Sequence, residues 1–443
     1  MTEVYFSFDT EDYTSNLASD AVRDQARILH AYDVRGNFNV VGYLAREFVR
    51  NRRADVLDAL ENHTISFHSL RHSYHPTINE YTDCEGYAAA RAEVERQEKE
   101  GMGMVKAACG VDSFPAAVPP GDSYSYVAMY AYADWGIPLY LDSMFHTPDG
   151  AGVYFCNGFH VDYHYSMEEL FHRNPNYTVG SFLDEIAQKR RVVIYNHPNR
   201  VLYETFWDKV NYYGENKHPM YAWEEPPRYT LAETAHYYQC LCELLATLKA
   251  DGRFIIRSVD DLRDAAVADI EGRTVTREQL PTIERSLRRC FQWITSPVSL
   301  SIADAFYAAQ YFLLHPSEQV YHPGKVHGFL YEPKGVADVT ELTAEEIRTL
   351  AASCDPSAFI PPCFEINGKR IGPADLLFAM LSAAQGAETV PVEPKRQQCM
   401  YEGAYPNLAE LRLEGSWVHM KSFRDRYLTD RLRLQAWTIR PEA

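Results

Sequence analysis

Short apolar, β-rich runs alternate with stretches of helical periodicity along the first 265 residues of the chain. The pattern predicts seven strands, at Val4–Phe8, Asn37–Val41, Thr64–Phe67, Ser113–Val118, Pro138–Leu141, Val192–Tyr195 and Phe254–Ile256. It predicts helices between them, at Ala18–Ala31, Ala54–Glu61, Gly86–Lys99, Tyr124–Asp134, Ser181–Lys189 and Leu231–Lys249. This alternation indicates a parallel sheet with right-handed crossovers. Seven such units favour an α/β fold, an incomplete or distorted (β/α)7 barrel, over a flat doubly wound sheet.

An aromatic-rich segment, Tyr203–Tyr229, interrupts this alternation. It contains Trp207, Tyr212 and Trp223 and is longer than an ordinary connector. Long loops of this kind are often functional lids. We therefore expect a lid that covers a ligand, with Trp207 in contact with it. The alternative is that the rings pack against the barrel or against a second domain.

The pattern changes after about residue 270, where two apolar stretches resemble each other. IADAFYAAQYFL (Ile302–Leu313) aligns with PADLLFAMLSAA (Pro373–Ala384), so that Asp304 corresponds to Asp375. Helices that are apolar over most of their circumference must be buried. We expect a C-terminal α/β module of two weak repeats of about 70 residues, buried against each other, against the barrel or across a dimer interface. The predicted domains are residues 1–268 and 269–443.

Composition and charge argue against some classes of binding partner and leave the predicted fold unchanged. The 443 residues are 46% hydrophobic and 23% charged, as in ordinary globular proteins. A formal charge of −18 argues against a nucleic-acid or anionic-membrane partner, because both repel an acidic surface. No apolar run is long enough to cross a membrane. The start of the chain has no leader pattern and the nine cysteines are scattered, so we expect a cytoplasmic protein with reduced thiols.

Polar residues gather where the predicted strands end. Because loops at the carboxyl ends of barrel strands converge, these residues are expected to lie together. They follow the first, third, fourth, fifth and sixth strands, in that order: Asp9, Glu11 and Asp12; His68 and His72; Pro120 and Gly121; Asp142; and His197.

Two of these groups indicate a metal site. His68 and His72 are four residues apart and can face one ion, although a lone pair of this spacing also fits structural histidines. Three carboxylates within four residues, at Asp9, Glu11 and Asp12, would repel one another unless a cation is present. The alternative, a helix N-cap at Asp12, accounts for one carboxylate and leaves two unexplained. With a metal nearby, His197 would be a natural general acid.

These motifs together resemble the polysaccharide deacetylases, the family with the NodB-type deacetylase domain, also called carbohydrate esterase family 4. The resemblance covers roughly residues 1–265. It rests on the order and spacing of FSFDTED, HSLRH with the following His75-Pro76, VPPGDSY, LDSMF and IYNHP.

The resemblance implies a role for each motif residue. It implies that Asp9 is the general base and His197 the general acid, with Asp142 orienting His197. It makes His68 and His72 metal ligands and gives an acidic third ligand, for which Glu11 is favoured and Asp12 is the alternative. Zn²⁺ is the expected ion, and Co²⁺, Ni²⁺ or Fe²⁺ would also suit such ligands. Substrate contacts are expected at a further group of residues: Pro120, Gly121, Arg71 and Trp207.

The third motif departs from the family pattern. It normally begins with an arginine that pairs with the base carboxylate, and here that position is Val118. Without a cationic partner, the pKa of Asp9 should be higher than in the family pattern. Either Arg71 or Arg257 substitutes for the missing arginine, or the enzyme supports its base differently, or activity is lost.

Three functions remain open at the level of sequence. The first is removal of an N-acyl group, usually acetyl, from an amino-sugar-containing glycan or glycoconjugate. The second is hydrolysis of a small amide, by a deformylase or ureide-ring hydrolase on the same scaffold. The third is glycan binding by a vestigial site. In each case we expect the first domain to contain the whole site and the C-terminal module to serve assembly, including homo-oligomers, or glycan positioning.

Overall fold

The computed structural model describes residues 1–171, 178–212, 215, 218–392, 398, 408, 411–414 and 418–442. The chain divides into two compact units that are each built from separate segments. The first unit comprises Met1–Gly152, His160–Ala265 and Arg412–Leu428. The second comprises Val153–Phe159, Ala266–Leu411 and Thr429–Ala443. Residues 412–428, which the sequence pattern assigned to the C-terminal module, thus lie in the first unit, and the division at residue 268 stays a prediction.

The described residues form strands and helices with the following bounds. The strands are β1 (Thr2–Thr10), β2 (Asn37–Val40), β3 (Thr64–Phe67), β4 (Ala116–Ala117), β5 (Leu139–Asp142), β6 (Val153–Phe155), β7 (Gly158–Asp162), β8 (Tyr165–Ser166), β9 (Arg191–Asn196), β10 (Phe254–Ile256), β11 (Val275–Thr276), β12 (Val320–Tyr321), β13 (Glu341–Thr343), β14 (Phe364–Ile366), β15 (Lys369–Ile371), β16 (Thr389–Pro391) and β17 (Arg440–Pro441). The α-helices are α1 (Asn16–Ala31), α2 (Gly42–Arg50), α3 (Ala54–Leu60), α4 (Ile78–Thr82), α5 (Tyr87–Cys109), α6 (Tyr126–Asp134), α7 (Met167–Phe171), α8 (Val179–Ile186), α9 (Trp207–Asn211), α10 (Leu231–Ala250), α11 (Val259–Gly272), α12 (Leu280–Arg289), α13 (Ile302–Leu314), α14 (Ala344–Ala352), α15 (Pro373–Ala384) and α16 (Leu428–Leu434).

A parallel sheet forms the centre of the first unit. Its strands run in the order β5, β4, β3, β2, β1, β9, β8, and β10 pairs with the first residues of β1. β10 and β2 share one edge of β1, at residues 2–4 and 7–10, and β9 pairs along the other edge. The sheet therefore contains all seven predicted strands and confirms the predicted α/β fold.

The position of β1 explains why its end is suited to chemistry. Eight of its nine residues are buried because it has partners on both edges. An apolar strand such as this suits the middle of a parallel sheet that is covered on its faces. Its register with β2 places Asp9 beside Asn39, and its register with β9 places Phe8 beside Asn196. Polar side chains therefore meet at the carboxyl ends of the three central strands.

Some helices of the first unit begin at side-chain caps. Ser15 caps α1 through its hydroxyl, and Thr230 forms a capping box with Glu233 at the start of α10. The predicted helices are all present, although α5 ends ten residues later than the sequence pattern indicated. The short helices α2 and α7 were not predicted. Among the described residues, no helix is both long enough and apolar enough to span a membrane.

The second unit contains the two aligned apolar stretches as helices α13 and α15. They pack against each other, and both are buried around most of their circumference. Asp304, near the start of α13, accepts hydrogen bonds from Ser301 and pairs with buried Arg273. Asp375, at the matching place in α15, accepts a hydrogen bond from Gln398. The prediction that these helices are buried is confirmed.

Candidate metal centre and active site

A cavity of about 270 Å³ lies at the carboxyl ends of the central strands. Most of the residues predicted at the strand ends line it. The lining includes Asp9, Glu11, His68, His72, Val118, Gly121, Asp142, Tyr163, Glu168, His197, Phe206, Asp208 and Val418.

Glu11, His68 and His72 form a compact and fully buried cluster in this cavity. One potential ligand atom from each lies within 4.8 Å of the others. Glu11 Oε2 is 2.7 Å from His72 Nε2 and 3.6 Å from His68 Nε2. Burial raises the pKa of Glu11, but the two histidines outweigh it and lower the pKa well below its usual range. The side chain is therefore an ionised carboxylate, as a metal ligand must be.

The partners of the second ring nitrogens indicate that a cation fits here. His68 Nδ1 lies 3.0 Å from the carbonyl oxygen of Val118, which can only accept, so Nδ1 carries the proton. His68 Nε2, the other ring nitrogen, is directed at the Glu11 carboxylate and has no hydrogen-bond partner among the described residues. Its lone pair would face a buried carboxylate, which is repulsive unless a proton or a metal ion lies between the two groups. This donor set of two imidazoles and one carboxylate suits a divalent transition metal.

His72 is held in a similar way. Its Nδ1 lies 3.0 Å from Ser73 Oγ, and that hydroxyl donates to Asp208 Oδ2 at 2.8 Å. Such partners fix the ring orientation of ligating histidines. Trp207 Nε1 donates to Glu11 Oε1 at 3.2 Å and fixes the third member of the cluster.

Asp12 is not part of this cluster. Its Oδ1 accepts from the backbone and the hydroxyl of Thr14, and its Oδ2 accepts from Asn199. This is the local hydrogen bonding of a turn that leads into a helix. Of the two carboxylates that sequence left open as the acidic ligand, the structure places Glu11 beside the histidines. Asp12, the alternative acidic ligand, bonds to Thr14 and Asn199 and is not a member of the cluster.

Asp9 is supported by neutral donors. Its Oδ1 accepts hydrogen bonds from Asn39 Nδ2 at 2.7 Å and from the Tyr163 hydroxyl at 2.8 Å. Asn39 also donates to the Tyr163 oxygen, so the three side chains form a connected network. These two hydrogen bonds hold the Asp9 carboxylate in place without an arginine.

Neither arginine proposed as a substitute reaches Asp9. Arg71 donates to the Pro76 carbonyl and to the Gln97 side chain, and it is not among the residues that line the cavity. Arg257 is exposed, and its backbone N–H pairs with Val4, five residues before Asp9 on the same strand. Five residues of strand span about 16 Å. The predicted contact of Arg71 with substrate is likewise not supported, because its guanidinium is engaged outside the cavity.

His197 lies between Asp9 and a carboxylate that the sequence did not point to. Its Nε2 is 3.6 Å from Asp9 Oδ2, and its Nδ1 is 2.5 Å from Glu168 Oε1. Burial by itself lowers the pKa of His197, but Glu168 and then Glu11 and Asp9 raise it to about 10. The ring is therefore protonated at neutral pH and can donate a proton from Nε2.

Asp142 does not have the predicted role of orienting His197. It lines the cavity, but its Oδ2 pairs with buried His160 at 2.8 Å and its Oδ1 accepts from the backbone of Met144. The strand that ends at Asp142 is five places away in the sheet from the strand that leads to His197. Glu168, from α7, takes the predicted place of Asp142.

Three rings of the aromatic segment, those of Tyr203, Trp207 and Tyr212, are buried. Trp207 is fully buried, and its ring lies 4.6 Å from Tyr13, 5.6 Å from Tyr212 and 5.6 Å from Trp223. Trp207 is not among the residues that line the cavity, so the structure does not support the prediction of Trp207 as a substrate contact. Its neighbour Phe206 lines the cavity instead.

The third motif contributes to the site through its backbone and through a glycine. Gly121 lines the cavity, whereas Pro120 is not among the lining residues. Gly121 has a φ of +51°, a conformation that favours glycine. Val118 accepts the His68 hydrogen bond with its backbone oxygen, so its apolar side chain has no bearing on that contact.

Several site residues could not be identified from sequence. Asn39 had a weak signal, because Asn37 and Asn39 alternate with apolar residues in a strand that is buried throughout. Tyr163, Glu168 and Asp208 had none, since each lies in a loop or a short helix whose position depends on tertiary packing.

Comparisons with known proteins found no matching family model and no matching curated protein. Solved structures do resemble the chain. A Mycobacterium smegmatis protein described as a polysaccharide deacetylase is 14% identical, with a TM-score of 0.39, over 60% of this chain and 90% of its own. A family 4 acetyl xylan esterase from Clostridium thermocellum, solved with a cobalt ion, is 13% identical, with a TM-score of 0.33, over 60% of this chain and 91% of its own. A pseudoenzyme of carbohydrate esterase family 4 from Bacillus anthracis is 14% identical, with a TM-score of 0.34, over 59% of this chain and 66% of its own. The family that these neighbours name is the one that the sequence motifs resemble, and the chain is similar to the polysaccharide deacetylases of carbohydrate esterase family 4.

Proposed function

We propose that this chain is a metal-dependent hydrolase that removes an N-acyl group, usually acetyl, from an amino-sugar-containing compound. The observation that supports this most is the arrangement around the cavity. A cluster suited to one metal ion, formed by Glu11, His68 and His72, lies beside a carboxylate–imidazolium pair formed by Asp9 and His197. Metal-assisted amide hydrolysis needs both groups on one cavity.

In this proposal Glu11, His68 and His72 hold the ion, most suitably Zn²⁺. A divalent ion bound there would polarise the amide carbonyl and acidify a water molecule. The chain's own part in the reaction is proton transfer. Asp9 Oδ2, the oxygen that does not accept from Asn39 or Tyr163, takes a proton from the attacking water. His197 Nε2 gives a proton to the leaving amine, which is a poor leaving group while unprotonated.

The side chains that contact Asp9 and His197 keep these protons on the required atoms. Glu168 binds His197 Nδ1, so the transferable proton of the ring is on Nε2, which faces the cavity. Asn39 and Tyr163 bind one oxygen of Asp9 and leave the other free to act. Asp9, a carboxylate, can therefore accept the proton of the attacking water, and His197, an imidazolium, can donate a proton to the leaving amine.

The proposal is tested by an amine-release assay with purified, metal-loaded protein. The substrates are N-acetyl and N-formyl amino sugars, with allantoin-type ureides and formylated amines as a second panel. Release of acetate and amine in equal amounts from an amino sugar, lost on chelation and restored by Zn²⁺, is the expected result. Turnover confined to the second panel would show that the protein hydrolyses small amides. Inactivity on both panels, with full metal content, would show that the site is vestigial.

A further inference from the structure

Residues 412–428, here called the C-terminal segment, are attached to the first unit by contacts with the loop and helix that follow the histidine motif. Asp83 accepts hydrogen bonds from the backbone N–H groups of Tyr427 and Arg426, at 2.8 and 2.9 Å. Glu80, in α4, accepts one from Met420 at 2.6 Å. Three backbone groups bound by two carboxylates define where this segment lies.

His419, which precedes Met420, contacts the third motif. His419 is buried, and its Nε2 lies 3.2 Å from the Asn79 side-chain amide and 3.4 Å from Ser123 Oγ. Burial lowers the pKa of His419, so the ring is neutral and pairs with neutral groups. The position of Val418 is therefore fixed from one side by a buried side chain.

Val418 is part of the wall of the catalytic cavity. It is 1% exposed and lies among the lining residues, next to Gly121. A Cβ at Gly121 would lie 2.5 Å from Val418 Cγ1, which no real pair of carbons tolerates. The glycine of the third motif and the valine from the end of the chain thus fit each other, and together they limit the cavity on this side.

We propose that Val418 determines the size of the substrate, and that the site accepts a single N-acylated amino sugar or an amide of similar size, not an internal unit of a polymer. This inference rests on the proposed function. A cavity of about 270 Å³ is just below the range of about 300–1,000 Å³ typical of sites that enclose a small ligand. Val418 occupies the space beside Gly121 into which a second sugar on this side of the cavity would extend.

The first test measures substrate length. The wild-type protein should hydrolyse N-acetylglucosamine with a kcat/KM at least about 10-fold above that for its β-1,4-linked tetramer. Val418→Ala should reduce this preference by about 10-fold, because a few methyl groups in a pocket change discrimination by that order. Val105→Ala is the matched control, since Val105 is a fully buried valine of the first unit that does not line the cavity.

The second test does not depend on turnover. Zn²⁺-loaded protein is titrated calorimetrically with acetohydroxamic acid and with a bulky two-ring aryl hydroxamic acid. Val418→Ala should raise the affinity for the bulky probe by about 10-fold and change the affinity for acetohydroxamic acid by less than about 2-fold. Val105→Ala should change neither affinity.

The outcomes separate this inference from the proposed function. If the wild-type protein prefers the tetramer, or if Val418→Ala changes neither the length preference nor the affinity for the bulky probe, the inference is wrong and the proposed function stands. If no N-acyl sugar of either length is hydrolysed by metal-loaded protein, the proposed function is wrong, and the hydroxamate titration alone decides the inference about Val418. A Val418→Ala protein that unfolds is replaced by Val418→Leu, which should strengthen the preference for the monosaccharide.

Discussion

At the residue scale, the site is defined by which atom of each side chain faces the cavity. His68 shows this most clearly, because its hydrogen bond to the Val118 carbonyl leaves Nε2 directed at Glu11. The same logic separates Glu11 from Asp12, which are adjacent in sequence and belong to different hydrogen-bond networks. Assigning a metal ligand therefore depends on the hydrogen-bond partners of its side chain as much as on the spacing of residues in the sequence.

The first prediction concerns these ligands. His68→Ala and Glu11→Gln should each reduce the metal content of purified protein to a small fraction of the wild-type value, because one of three ligands is lost. Asp12→Asn is the control and should retain the metal, since Asp12 binds Thr14 and Asn199. Metal analysis by mass spectrometry checks this. Full metal content in Glu11→Gln with loss in Asp12→Asn would reverse the assignment.

The second prediction concerns the base. Asp9→Asn should lower turnover by roughly 100-fold or more, with metal content unchanged, because it removes the proton acceptor. Tyr163→Phe should lower kcat by about 10-fold with little change in KM, since a hydrogen bond to a charged group is worth about 1.5–3 kcal/mol. Tyr165→Phe is its control, because that hydroxyl binds Glu185 at the surface. Equal kinetics for the two tyrosine variants would remove Tyr163 from the mechanism.

The third prediction separates Glu168 from Asp142. Glu168→Gln should lower kcat by about 10-fold or more, because His197 loses the charge that stabilises its protonated ring. Asp142→Asn should change kcat per folded molecule by less than about 3-fold, since Asp142 pairs with His160. Steady-state kinetics on both variants, with folding checked by circular dichroism, decides between them. A larger effect in Asp142→Asn would restore the role that the sequence suggested.

At the scale of elements, the loops after the strands provide as much of the site as the strand ends do. The aromatic segment contributes a buried tryptophan behind Glu11 and a cavity-lining Phe206 from adjacent positions. Short helix α7 supplies Glu168. These elements are short, and their positions are fixed by what they pack against.

The fourth prediction tests the buried role of the aromatic segment. Trp207→Phe preserves an aromatic ring but deletes the N–H that donates to Glu11, so metal affinity should fall by roughly 10-fold, as for other partners of metal ligands. Trp223→Phe is the matched control, because its N–H binds the His218 carbonyl. Competitive titration with a zinc-binding dye measures both affinities. Normal metal affinity together with weakened substrate binding in Trp207→Phe would instead support a lid.

At the scale of the whole molecule, the order of the chain does not coincide with the composition of its units. The C-terminal segment lies in the first unit, although more than 140 residues assigned to the second unit precede it in sequence. This changes what a shortened protein is expected to do. The earlier expectation, that residues 1–268 contain the whole site, conflicts with the presence of Val418 in the cavity wall.

The fifth prediction follows from that arrangement. A protein that ends at residue 268 should melt about 10 °C below the full chain, because it loses Val418 burial and the hydrogen bonds to Asp83 and Glu80, together about 3 kcal/mol. Asp83→Ala in the full chain should show a smaller shift in the same direction. Calorimetry measures both. An unchanged melting temperature in the shortened protein would show that the segment contributes nothing to the stability of this unit.

The sequence by itself determined the parts of this protein that depend on local pattern. All seven predicted strands, the six predicted helices between them and the buried pair α13 and α15 follow from periodicity. The sequence also indicated that the polar residues at successive strand ends converge, because the fold is parallel. These residues are Asp9, Glu11, Asp12, His68, His72 and His197.

Only the tertiary structure decided which groups support those residues. Tyr163 and Glu168 reach the cavity from the stretch after β7, and Val418 reaches it from the C-terminal segment. No spacing rule connects these residues to the ones that they contact. The structure also placed Glu11 and not Asp12 beside the histidines, and it buried Trp207. The physical reason is that a strand end fixes where a side chain starts, whereas its charge state, orientation and exposure depend on neighbours that packing alone selects.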